Sequence, residues 1–100
     1  MKVNINELDG KTIAKIVGRI DTTSAEQFQQ EIAPLKEIDN PDIEMDCSEM
    51  EYTSSQGLRI FLMLQKAISE KGGKMVMTGM SPQVKRVFDI TGFSNIIKII

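Results

Sequence analysis

The stretch of this chain whose residue types and spacing point to specific chemistry is Asp46–Arg59, DCSEMEYTSSQGLR. Four hydroxyl-bearing side chains, Tyr52, Thr53, Ser54 and Ser55, stand where a strand gives way to a helix. A helix start gathers free backbone amides and the positive end of the helix dipole, a setting that favours anions. A serine there can be an N-cap, a nucleophile or the acceptor of a phosphoryl group. Composition removes the nucleophile. The chain has no histidine, so neither a Ser-His-Asp nor a Cys-His site can be assembled. A nucleophile elbow reads G-x-S-x-G; Ser55-Gln56-Gly57 supplies its second half, but Thr53 occupies the first glycine position. A phosphate-binding loop of the G-x-x-x-x-G-K-[ST] type is absent as well.

Other chemistries fall to the same test. A single cysteine, Cys47, forms no internal disulfide and cannot build a multi-thiolate zinc site; it reads as a small buried hydrophobe. Asp42, Glu44 and Asp46 alternate along one strand face. Same-face neighbours on a strand lie about 6.6–7 Å apart, long for one shared ion, so these carboxylates read as a solvated acidic face. No metal or other cofactor is expected. A net charge of -2 provides no cationic field for a phosphate backbone, which argues against nucleic acid. The longest near-apolar run, Ile60–Leu64, is far short of the roughly 20 residues of a membrane span. The opening MKVNINELDG has no apolar core of a signal peptide, so the chain reads as cytoplasmic.

These residues need elements to hold them. Lys2–Leu8 alternates as a half-buried strand, with Val3 and Ile5 inward, and Asp9-Gly10 turns it back onto Lys11–Gly18. Thr23 and Glu26 have capping-box spacing, and Ala25, Phe28, Ile32 and Leu35 form a helical stripe that Pro34 must end near Ala33. Residues 42–47 form a third strand with Ile43, Met45 and Cys47 inward. After a loop, a helix over 56–71 turns Leu58, Phe61, Leu62, Leu64 and Ile68 to the core and stops at Gly72-Gly73. Lys74–Thr78 is a strand. Ser81-Pro82 starts a helix whose Val84, Val87, Phe88 and Ile90 face the core. Gly92 ends it, and Asn95–Ile100 is a last strand. The order β-β-α-β-α-β-α-β implies a mixed, mostly parallel sheet with an N-terminal hairpin. Three strands carry a polar face, so the helices pack mainly on one side: a two-layer α/β domain.

The sequence resembles the STAS domain, and within it the small bacterial anti-sigma factor antagonists. The matching pieces are GRID with Thr22-Thr23, then DCSEMEYTSSQGLRIF, then KGGKMVMTGMSPQVKRVFDITGF, then NIIKII. The resemblance implies a single STAS domain over 1–100, short of the C-terminal helix that relatives usually add. It implies a binding module and not an enzyme. The loop of such antagonists reads Asp-Ser-Ser/Thr/Ala-Gly, and the serine after the aspartate is phosphorylated. That position is Ser55 here, with Ser54 in place of the aspartate (and as the fallback acceptor) and Gln56 before Gly57. The implied partners are an anti-sigma factor with serine kinase activity, which binds the unmodified form, and a PP2C-type phosphatase. The implied partner surface comprises Asp21, Thr22, Thr53, Ser54, Ser55, Gln56, Gly57 and Arg59. An alternative is a constitutively bound, unphosphorylated STAS subunit, for example of a lipid-transport ABC system. Without histidine, a hydrolase using Ser55 is the remotest reading.

Overall fold

Asp9 and Gly10 both take positive φ, 52° and 80°. This pairing belongs to a type I′ turn, whose twist suits two antiparallel strands. The turn joins β1 (Lys2–Leu8) to β2 (Lys11–Ile20), in register from Lys2↔Val17 to Leu8↔Lys11. In the computed structural model, which describes residues 1–100, the chain continues through α1 (Ala25–Ile32), β3 (Asp42–Thr53) and α2 (Ser55–Glu70). It closes with β4 (Lys74–Thr78), α3 (Pro82–Ile90) and β5 (Lys98–Ile99). The sheet order is β1-β2-β3-β4-β5, and every pair after the first hairpin is parallel.

One face of the sheet is apolar and covered. Ala14 and Ile16 of β2, Ile43, Met45 and Cys47 of β3, and Met75 and Met77 of β4 are all buried. They share one core with Phe28, Phe61 and Phe88 from the three helices. Phe61 stands between the other two rings, 4.9 Å from Phe28 and 5.9 Å from Phe88 between centroids, tilted at 57° to each. Tilted pairs at such distances are favourable beyond their buried area. The opposite face is wet and charged. Lys11 pairs with Glu44 at 3.4 Å, and Lys15 with Glu49.

The architecture matches the sequence reading, while several local details differ. Glu26 does not close a capping box with Thr23. The Asp21 carboxylate caps the turn instead, accepting from the Thr23 and Ser24 amides at 3.0 Å each, and α1 begins two residues later than Thr23. Val3 is half-buried but Ile5 is exposed, because β1 is an edge strand with little cover. Leu62 is half-buried and Ile90 is exposed, both lying off the inward stripes of their helices. The last strand shrinks to Lys98–Ile99 behind a short 3-10 turn at Phe93–Asn95.

The largest difference is in β3, which runs on to Thr53 where a loop is expected. Its register against β2 slips twice, between Lys15 and Val17 and between Gly18 and Arg19. Each slip puts an extra residue on β3, so after Cys47 the buried positions come at Met50 and Thr53. Spacing by three is neither strand nor helix periodicity, which is why the segment resists reading.

Phe61 joins all three helices, so Phe61→Ala is expected to lower the unfolding free energy by about 3–5 kcal/mol, measured by urea denaturation. A loss below about 1 kcal/mol would mean the three rings are not a cooperative core.

Candidate functional site

Parallel pairing brings the C-terminal ends of β2 and β3 together, with Ile20 opposite Thr53. The two segments that leave these strands therefore emerge side by side. The Ser54 amide donates to the Ile20 carbonyl at 2.7 Å, tying the start of α2 to the end of β2. Gly57 permits the close fit, since a Cβ there would collide with Thr53 Oγ1 and lie 2.9 Å from Ile20 Cγ2.

The two serines divide their tasks. Ser54 is the N-cap of α2: its backbone is extended and its Oγ accepts from the Gly57 amide at 3.2 Å. It is buried, 8% exposed. Ser55 is the first helical residue, exposed, and its hydroxyl makes no hydrogen bond within the chain. Thr53 is buried, and its hydroxyl donates to the Ser54 carbonyl at 3.2 Å. Tyr52 is engaged as well, with the Arg19 guanidinium 4.5 Å from its ring centroid. Among the serine and threonine hydroxyls at this junction, Ser55 is therefore the free one.

On the neighbouring segment, the Thr23 hydroxyl donates to Asp21 Oδ1 at 2.7 Å. That bond, with those from the Ser24 and Thr23 amides, holds the Asp21 carboxyl down at about 2. Ser24 Oγ accepts from the Asp21 amide at 3.0 Å. Asp21 is thus committed to shaping the entry of α1.

Of the residues expected at the partner surface, Thr22, Gln56 and Arg59 line one open groove of about 370 Å³ between α1 and α2. Ser55 is exposed beside it on the first turn of α2. Thr53, Ser54 and Gly57 lie beneath, buried, and set the geometry from below. Sequence reasoning missed Glu26, Gln29, Ile60 and Met63, which complete the groove. Met63 is 54% exposed, and its place four residues after Arg59, outside the inward stripe of α2, was the available signal. A smaller hollow, about 190 Å³, lies on the other side of Thr53, between the end of β3 and Gln83, Val84 and Val87 of α3.

The remaining candidates are accounted for by packing. Glu44 is paired with Lys11 and accepts from the Thr78 hydroxyl at 3.0 Å. Asp46 accepts from the Ser48 amide at 3.0 Å. No group of three His, Cys, Asp or Glu side chains is placed to hold a metal ion. Cys47 is fully buried, and burial pushes its thiol up to about 12, away from the reactive thiolate.

Comparison with known proteins bears on the same residues. The family model for the STAS domain matches residues 2–100. BtrV of Bordetella bronchiseptica, a protein described as a candidate anti-sigma factor antagonist, is 31% identical over 99% of this chain and 85% of its own. The anti-sigma-B factor antagonist of Bacillus subtilis is 29% identical, over 99% of this chain and 90% of its own. Among solved structures, the Bacillus cell fate determinant SpoIIAA in its phosphorylated form superposes with a TM-score of 0.72 at 14% identity, covering 99% of this chain and 91% of that one.

Two measurements check the site. Ser54→Ala removes a cap and is expected to cost about 1 kcal/mol of stability, while Ser55→Ala changes it little; equal costs in thermal or urea unfolding would contradict the division of labour. The second follows the Asp21 carboxyl, whose folded value of about 2 lies below the unfolded value of roughly 3.9. Its contribution is present above the unfolded value and is lost as pH falls through the folded one. Asp21→Asn keeps an acceptor oxygen and removes the titration. The melting temperature of the parent should therefore drop more steeply than that of the variant between about pH 4 and 2.

Proposed function

The chain belongs to the STAS domain family, and we propose that within it this chain is an anti-sigma factor antagonist switched by phosphorylation of Ser55. Its homologues are anti-sigma factor antagonists, and no helix is long and apolar enough to cross a membrane. The observation that carries the reading is the free, exposed Ser55 hydroxyl at the first turn of α2, with Ser54 taking the capping role. A kinase can reach such a hydroxyl without unfolding the helix.

In this reading residues 1–100 act as one binding domain in the cytoplasm and catalyse nothing themselves. The unmodified chain binds an anti-sigma factor that has serine kinase activity, and so releases the sigma factor. Transfer of a phosphoryl group to Ser55 ends that complex, and a PP2C-type phosphatase restores it. The partner surface runs over Thr22, Ser55, Gln56 and Arg59, with Asp21, Thr53, Ser54 and Gly57 holding it in shape.

The physics of release is local. A phosphoryl group adds about -1.5 to -2 charges at neutral pH. Placed at the start of α2, it is tolerated by the helix dipole, so the fold is retained. A partner pressed against the same turn would have to desolvate a bulky dianion. Binding is lost at the interface and not through the core.

The first test is mass spectrometry on the chain from its native host, where a species about 80 Da heavier, mapped to Ser55, is expected. Phosphate on Ser54 or Thr53 would move the switch to a residue buried here. No phosphate under several growth conditions would favour the constitutive reading, a STAS subunit held in a larger assembly such as a lipid transporter. Ser55→Asp gives a second check: it should weaken capture of the purified kinase partner at least about tenfold while leaving the melting temperature nearly unchanged. Equal capture of variant and parent would sink the switch.

A further inference from the structure

We propose that Arg59 is the internal counter-ion of a phosphoryl group on Ser55, so that the modification is received on α2 itself as a phosphate–guanidinium pair. The inference rests on the phosphorylation reading above and specifies how that site responds. Ser55 and Arg59 stand four residues apart in one helix, a spacing that makes side chains neighbours, with Cβ atoms about 5–6 Å apart. The acidic group lies N-terminal to the basic one, the favourable order for such a pair in the field of the helix. A guanidinium offers a planar fork that matches phosphate oxygens two at a time.

Arg59 is also unspent. The ion pairs of the molecule join Lys11 to Glu44, Lys15 to Glu49 and Lys85 to Asp89. The other arginine near this surface, Arg19, lies over Tyr52. Arg59 is exposed, and although Glu26 lines the same groove, no carboxylate reaches its guanidinium. In the unmodified chain the guanidinium is thus available at the groove.

The remaining charges around this end of α2 pull the other way. Asp21 leads into α1, Glu26 comes from α1 across the groove, and Glu51 lies near the end of β3. Each opposes the second ionisation of a phosphate. The hollow on the α3 side presents Gln83, Val84 and Val87, none of them charged. Lys66 lies on α2 about two turns beyond Arg59. Among the side chains lining the groove beside Ser55, Arg59 is the one cation. The pair changes what the groove offers: a free guanidinium before modification, and a neutralised one carrying excess negative charge after it.

The test uses the full chain with phosphoserine installed at position 55 by semisynthesis, and follows the phosphate by phosphorus NMR across pH. Free phosphoserine loses its second proton near pH ~6. Arg59→Gln should raise the phosphate's second pKa by about 0.2–0.4 unit relative to the parent. Arg59→Lys should recover part of that shift, and Lys66→Gln should leave the parent value unchanged. Identical values in the parent and Arg59→Gln overturn the proposal. So does an equal rise in Lys66→Gln, which would mark a diffuse field in place of a specific pair. Because the phosphate is built in, this outcome is independent of whether cells phosphorylate Ser55. Missing phosphate in the native host would remove the preceding reading and leave the measured pair standing.

Discussion

Helix α2 can be in its place only because its third residue has no side chain. Gly57 lies against Ile20 and Thr53 at the joined ends of β2 and β3, and the Ser54 amide is fastened to the Ile20 carbonyl. With the start of the helix pinned there, its rotation is decided. Leu58, Phe61, Leu64 and Ile68 turn into the core, while Ser55, Gln56 and Arg59 turn out. Each residue advances a helix by about 100°. A cap displaced by one position would swing Phe61 out of its place between Phe28 and Phe88 and turn Ser55 away from the groove. Core and surface are thus set by one contact.

Parallel pairing does the rest. Because β2 and β3 run the same way, the segments leaving them meet at one edge, although α1 and the whole of β3 separate them in sequence. Asp21 stiffens the first segment by gathering the Thr23 and Ser24 amides. Ser54 stiffens the second by accepting from Gly57. A polar side chain closes the backbone at each turn, and the exposed residues beside them stand on fixed supports. Such a surface can present a hydroxyl for modification without the fold itself having to move.

Much of this was legible from residue types alone. The Asp9-Gly10 turn, the inward stripe of α2 apart from Leu62, the alternation of β4 and the Ser81-Pro82 start all obey one local rule each, and each is found where that rule puts it. The exceptions arise where two elements negotiate. The bulges in β3 are a response to β2, and they convert an alternating strand into one buried every third residue. Thr23 and Glu26 have the spacing of a capping box, but the Thr23 amide that Glu26 would accept from is bound to the Asp21 carboxylate instead. At the site, the four clustered hydroxyls were visible, but which of them caps and which is free depends on where the strand ends. Glu26, Gln29, Ile60 and Met63 line the groove only because α1 and α2 lie side by side, and no single segment records that neighbourhood.

The burial of Cys47 has a further meaning when set beside the absence of histidine. Its one thiol is pushed up to about 12, and Asp21, Asp46 and Asp89 are held below the ordinary carboxylate range, so none of these four groups changes charge around neutrality. On the proposed reading, a change of charge at the start of α2 would come from the phosphoryl group and from none of these four titrations.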